Sequence, residues 1–180
     1  VAMNAGASGD AIGDRLSGLT VFTPERGVRS LTPDEWSAGY RRFALHEPCA
    51  WFAVLEAELT LISSSAGAVR AVMAERLSRK KNTQPVTLHT AGCVFKNPDG
   101  LSAGRLLDEA GLRGKRRGPV YFTELHANFL AHDPARGVQS DAKGAFAAAA
   151  ELVADAREAG ARPAGINLGM EIKVWPCPLY

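Results

Sequence analysis

Gly92-Cys93-Val94-Phe95-Lys96-Asn97-Pro98 places a thiol, an ammonium and a carboxamide on one short stretch. A thiol gives up a proton or attacks as a nucleophile, an ammonium neutralises negative charge, and a carboxamide offers donors and an acceptor together. Gly92 leaves room for close backbone approach, and Phe95 is expected to anchor the stretch in a core. A small-molecule site is the sharp expectation. On residue types alone, a buried inert cysteine beside a solvated lysine is the commoner outcome. A hydrolase using Cys93 as nucleophile with His89 or His126 fits the same bare list, although a lone histidine such as His126 is more often structural.

Other chemistry-bearing stretches are weaker. Asn4-Ala5-Gly6-Ala7-Ser8-Gly9-Asp10 is a small-residue turn whose backbone N–H groups could cradle a phosphate or lie against a flat cofactor. An ordinary loop fits it as well. Arg113-Gly114-Lys115-Arg116-Arg117-Gly118 is the densest basic cluster, expected as an exposed loop that could help draw in a nucleotide diphosphate.

The elements that must hold these stretches can be read from periodicity. Leu19–Thr23 and Gly27–Leu31 flank Pro24-Glu25-Arg26 as a β-hairpin. Thr32-Pro33-Asp34-Glu35 predicts a short helix ending near Gly39. Leu55, Ala57, Leu59 and Leu61 alternate with polar residues, as in a half-buried strand. Ser63–Gly67 is the expected domain boundary. Val69, Val72, Met73 and Leu77 recur at helical spacing, with basic residues Arg79-Lys80-Lys81 at the helix end. Pro85–Thr90 reads as a short strand entering the cysteine stretch, and Asp99-Gly100 as a turn leaving it. Ser102 caps a helix ending at Gly111 with Leu106 and Leu107 inward. Val120–Thr123 and Ala127–Ala131 read as strands. A last helix is expected from a Ser140 cap to Gly160, with Phe146, Ala149, Val153 and Ala156 on one face. A final strand, Ile166–Trp175, would put Glu171 and Lys173 on the same side.

The 180 residues, 46% hydrophobic and 22% charged, suit a soluble globular protein with a real core. A net charge of +2 is too small to argue for nucleic acid or an acidic membrane. No apolar run approaches the roughly 20 residues that span a bilayer, and no secretory signal is visible. Cys49, Cys93 and Cys177 form neither a disulfide framework nor a zinc motif. The expected compartment is the cytoplasm.

Gly92-Cys93-Val94-Phe95-Lys96-Asn97-Pro98 resembles the Gly-Ser-x-Phe-Lys-Asn-Pro signature of the UDP-N-acetylenolpyruvoylglucosamine reductase (MurB) family. Further blocks resemble that family in the same order. They are Met3–Gly9, Gly39-Tyr40-Arg41, Ala103–Leu112, His126-Ala127-Asn128-Phe129 and Met170–Trp175. The resemblance implies reduction of UDP-N-acetylglucosamine enolpyruvate to UDP-N-acetylmuramate, a step of peptidoglycan synthesis. In that family NADPH reduces bound FAD, and the flavin passes a hydride to the alkene.

Carried over by position, the resemblance implies catalytic roles for Arg41, Cys93 and Glu171. Cys93 stands where the family has a serine proton donor; with an ordinary pKa near 8.5, a thiol is the better acid. Glu171 would polarise or protonate the intermediate, and Arg41 would neutralise its charge. Tyr40, Asn97 and Lys173 are implied to contact substrate, Lys173 replacing an arginine and losing its bidentate fork. Phe43 departs from a family serine. Asn4, Ala5, Gly6 and Gly9 are implied to lie against FAD.

The expected architecture is α+β. Residues 1–62 would be a remnant of an FAD-binding domain and residues 63–180 a substrate-binding domain, whose final strand could return to the first. The family's N-terminal FAD-binding region, with its own strands and pyrophosphate loop, has no counterpart in these residues. The chain is therefore expected to be a C-terminal portion completed by that segment, with its isolated activity in doubt. The alternative is a UDP-sugar-binding module that has lost flavin.

Overall fold

The computed structural model describes residues 1–7, 9–133, 135, 142–161 and 168–171. They adopt an α+β fold, in which the chain divides into two compact units, Val1–Ser65 and Ala66–Tyr180.

The first unit opens with a tight ribbon, β1 (Gly6–Ala7) against β2 (Asp10–Ala11), followed by a 3-10 turn over Ile12–Arg15. Its main sheet has the order β4-β3-β7, all antiparallel: β3 (Leu16–Thr23) is central, flanked by β4 (Gly27–Leu31) and β7 (Ala53–Leu59). The β3–β4 hairpin is the one its sequence predicts, with Gly27 at φ 68° closing the turn. Strand alternation drives Leu19 and Val21 inward, where they meet Leu16, Leu31, Trp36 and Phe43. Aromatic contacts complete this core, Trp36–Phe43 at 6.1 Å and Phe43–Phe52 at 6.2 Å between centroids.

Two expectations fail in this unit. Thr32 and Glu35 do cap each other, the Thr32 amide donating to Glu35 Oε2 at 2.8 Å, but the result is only a 3-10 turn, Pro33–Glu35. The chain then forms a hairpin, β5 (Trp36–Gly39) with β6 (Arg42–Leu45), because Trp36 and Phe43 are needed in the core on neighbouring strands. The second failure is the buried face of β7. The register sets Ala57 opposite Leu19 and Leu59 opposite Leu16, beside core residues, yet Leu55 is 57% exposed and Leu59 44%. The alternation encodes an apolar face that the core of this unit leaves partly open.

In the second unit α1 (Ala66–Thr83) contains no buried residue, so Val69, Val72, Met73 and Leu77 line no core here. Pro85–Leu88 is a turn rather than a strand. The strand β8 begins only at Thr90 and runs to Cys93. The sheet order is β8-β11-β10-β9, with β9 (Arg116–Arg117), β10 (Val120–Phe122) and β11 (Phe129–His132). α2 (Ala103–Glu109) starts at Ser102, whose hydroxyl accepts from the Arg105 amide, and the chain leaves it through Gly111 at φ 74°. α3 (Ala142–Ala161) buries Leu152 and Ala156, with Ala149 and Val153 partly buried; Phe146 is exposed instead. The core is built on Val94, Phe95, Leu107, Phe122, Leu152 and Leu168, all fully buried. The expected Ser140 cap, and Ile172, Lys173 and Trp175 of the final strand, lie outside the described residues.

Candidate active site

In the first unit, the small-residue turn and the β5–β6 hairpin are tied together. Asn4 is 6% exposed, and its side chain spans them: Nδ2 donates to the Gly39 carbonyl at 2.9 Å, while Oδ1 accepts from the Gly13 amide at 2.8 Å. Tyr40 and Arg41 form the tip of that hairpin. Arg41 Nη1 reaches back toward the Gly6 carbonyl at 3.5 Å, and its guanidinium carbon lies 5.2 Å from the centre of the Tyr40 ring. Among the described residues only Asn4, at φ 42°, and Arg41, at φ 52°, are non-glycine residues in the left-handed region. Such conformations cost energy in ordinary side chains and gather where a backbone is held for a purpose. Asn4 therefore serves as a brace, and the surface beside it consists of the small residues Ala5, Gly6 and Gly9. Gly9, at φ 87°, has open space where a side chain would be, leaving room for a flat group to approach.

In the second unit, the cysteine stretch lies between two partners. Phe95 pairs with Met170 in an antiparallel bridge. The Lys96 amide donates to the Gly169 carbonyl, and the Glu171 amide to the Val94 carbonyl, both at 2.8 Å. The segments that carry Cys93 and Glu171, predicted from distant parts of the sequence, are thus tied together by an isolated bridge and its flanking backbone bonds. Both residues are half-buried, and neither described thiol, Cys49 or Cys93, is in a disulfide. Gly92 precedes Cys93 at φ 84°, a conformation that favours glycine.

Asn97 is exposed, and its side-chain oxygen accepts from the Ala103 amide at 3.0 Å. Part of its carboxamide is therefore spent on the start of α2. The opposite edge of the stretch belongs to Asn128, which is 2% exposed. Its Oδ1 accepts from the Phe95 amide at 2.9 Å, its Nδ2 donates to the Phe95 carbonyl at 2.8 Å, and its own carbonyl accepts from the Val94 amide at 2.8 Å. Asn128 is not among the site residues expected from the sequence; it stands there only within the His-Ala-Asn-Phe block.

His126 is structural here. Its Nδ1 accepts from the Asn128 amide at 3.1 Å, and its ring packs 4.9 Å from that of Phe129. Burial, then the charge of Arg113, pushes its pKa below the usual value. The basic cluster is also engaged. Arg113 grips Asp108 through two nitrogens, at 2.6 and 2.5 Å, and donates to the Glu124 carbonyl. Arg116 covers the Tyr121 ring at 4.1 Å, while Lys115 and Arg117 both reach Asp155. Their partners hold the carboxyls of Asp108 and Asp155 below the ordinary carboxylate range. A cluster so paired has little charge left to attract a diphosphate.

Among the described residues no group of three histidine, cysteine or carboxylate side chains could hold a metal, and no helix is long and apolar enough to cross a membrane.

A family model described as UDP-N-acetylenolpyruvoylglucosamine reductase, C-terminal domain, matches residues 84–175. The UDP-N-acetylenolpyruvoylglucosamine reductase of Oleidesulfovibrio alaskensis is 44% identical over 177 residues, which cover 98% of this chain and 56% of that protein. The protein of the same name from Nitratidesulfovibrio vulgaris is 41% identical over 175 residues, again covering 56% of its own length. The crystal structure of the Thermus caldophilus UDP-N-acetylenolpyruvylglucosamine reductase superposes with a TM-score of 0.77 at 32% identity, over 97% of this chain and 58% of that one. The chain spans about half the length of the curated relatives it matches.

Proposed function

This chain belongs to the UDP-N-acetylenolpyruvoylglucosamine reductase family, and from that premise we propose that it carries the substrate-binding and proton-donating half of an FAD- and NADPH-dependent reductase. The substrate would be UDP-N-acetylglucosamine enolpyruvate and the product UDP-N-acetylmuramate, a cytoplasmic precursor of peptidoglycan. The observation that carries this reading is that the segments bearing Cys93 and Glu171 are tied together, through the Phe95–Met170 bridge and the bond from the Glu171 amide to the Val94 carbonyl.

The first unit fits the flavin in part. The small surface of Ala5, Gly6 and Gly9, braced by Asn4, would lie against it. When bound, the flavin supplies the hydride that adds to the alkene carbon of the enolpyruvyl group. Charge left on the neighbouring carbon and its carboxylate then needs stabilising, commonly the largest catalytic contribution. Arg41 is assigned that task by its motif, and its fixed conformation at the hairpin tip suits it. Glu171 would polarise the same charge, and Cys93 would place its thiol proton on carbon, recovering a proton from water afterwards. Tyr40, Asn97 and Lys173 are assigned to substrate binding by their motifs.

The missing part of the flavin seat would come from a further FAD-binding segment. The uncovered apolar positions Leu55, Leu59 and Leu61 support a packed partner on the first unit. Neither nucleic acid nor a membrane enters this reading.

The test is a pair of substitutions in the flavin-bearing protein that contains this chain. Cys93→Ser keeps appreciable turnover of the enolpyruvyl sugar, since a hydroxyl can still deliver a proton, whereas Cys93→Ala loses about 10²-fold or more. An alanine variant as fast as the parent would refute the proton-donor role.

A further inference from the structure

From the Val94 carbonyl to the Lys96 amide the backbone alternates its hydrogen bonds as a strand does. The Val94 carbonyl and the Lys96 amide point to the 168–171 segment. The amide and the carbonyl of Phe95 both point the other way, toward residues that precede β11, which begins at Phe129. The carboxamide of Asn128 stands there instead and meets both groups, at 2.9 and 2.8 Å. One side chain thus does the work of a peptide unit in a strand that has already ended. It is itself held fast: its amide donates to His126 Nδ1 at 3.1 Å, and the Thr123 hydroxyl donates to the His126 carbonyl at 2.9 Å.

Resting on the reductase reading above, we propose that Asn128 is a positioning residue. By clamping the Phe95 peptide it fixes the relative placement of the Cys93 thiol and the Glu171 carboxylate. The chain of bonds is short. Cys93 precedes Val94, whose amide bonds to the Asn128 carbonyl and whose carbonyl receives the Glu171 amide. The carboxamide is needed as such. Aspartate is nearly the same shape but offers no donor when ionised, so one of its oxygens would face the Phe95 carbonyl. Leucine would leave both groups of a fully buried peptide without partners.

The test compares Asn128→Asp and Asn128→Leu with Leu107→Ala, a core truncation outside the segment. In the 180-residue chain, the pH profile of iodoacetamide alkylation at Cys93 is followed by peptide mass spectrometry, and amide exchange at Glu171 by NMR. In the flavin-bearing protein, flavin reduction by NADPH is timed separately from flavin re-oxidation by the enolpyruvyl sugar.

Both Asn128 variants are expected to change the Cys93 alkylation rate by about fivefold or more, to displace its pH midpoint and to speed exchange at Glu171. Leu107→Ala, at matched loss of thermal stability, is expected to do none of these. In the flavin-bearing protein Asn128→Asp slows re-oxidation by about tenfold or more with little change in KM, while flavin reduction stays at the parental rate. Cys93 profiles and Glu171 exchange indistinguishable from the Leu107→Ala control would overturn the proposal. Failure of the parent protein to re-oxidise its flavin with the sugar would overturn the reductase reading instead, and the thiol profile would still decide the role of Asn128.

Discussion

Asn4 shows how one polar side chain can hold two loops at once. It is buried, both ends of its carboxamide are bonded, and its backbone sits at φ 42°, which asparagine tolerates better than most residues. Asn4→Ala should therefore destabilise the first unit by about 2 kcal/mol, read from urea unfolding, while Asn4→Asp, which lacks the donor toward Gly39, should show a similar loss. His126 gives a prediction in pH. Its folded pKa lies below the ordinary 6.5, chiefly through burial. Between the folded value and 6.5 the unfolded chain binds more protons, so stability rises with pH across that window. The contribution is complete above about 6.5 and is lost as pH falls through the window. Urea midpoints taken at pH 7.5 and 5.5 should fall more for the parent than for His126→Gln. An equal fall in both would remove His126 as the source.

At the scale of elements, Gly104 is the tight point. A Cβ there would meet His126 Cε1 at 2.6 Å, and that ring is pinned by its bond to the Asn128 amide. Gly104→Ala should cost about 1–3 kcal/mol by thermal melt despite the better helix propensity of alanine. Local chemistry made some elements legible. The β3–β4 hairpin, α2 with its Ser102 cap, and the anchoring of Phe95 each follow from residues close in sequence. The β5–β6 hairpin was not legible, because Thr32 and Glu35 announce a helix start correctly, but Trp36 and Phe43 are claimed by a distant core. Nor was the Asn128 clamp, since its partner Phe95 lies 33 residues away and sidedness alone gives no hint of it. Cys93 and Glu171 were picked out by motif, whereas their adjacency depends on strand pairing that periodicity does not specify.

The two units keep separate cores, one centred on Leu19, Trp36 and Phe43, the other on Phe95, Leu107 and Phe122. Calorimetry is expected to resolve two transitions, and Phe122→Ala should lower only one, by about 3–5 kcal/mol. A single transition displaced as a whole would show that the units unfold together. The two main sheets also end differently. β9 closes one sheet with two arginines, where Arg117 is paired to Glu151 and Asp155, and Lys115 also reaches Asp155. Each exposed pair contributes little to stability, but charge along a rim discourages a foreign strand from docking there. β7 also carries charge, Glu56 and Glu58, but between them Leu55 and Leu59 stand open to water at the rim of the other sheet. Left alone in concentrated solution, molecules of this chain would therefore stick to one another through β7 rather than β9, and lysines at Leu55 and Leu59 would keep them apart.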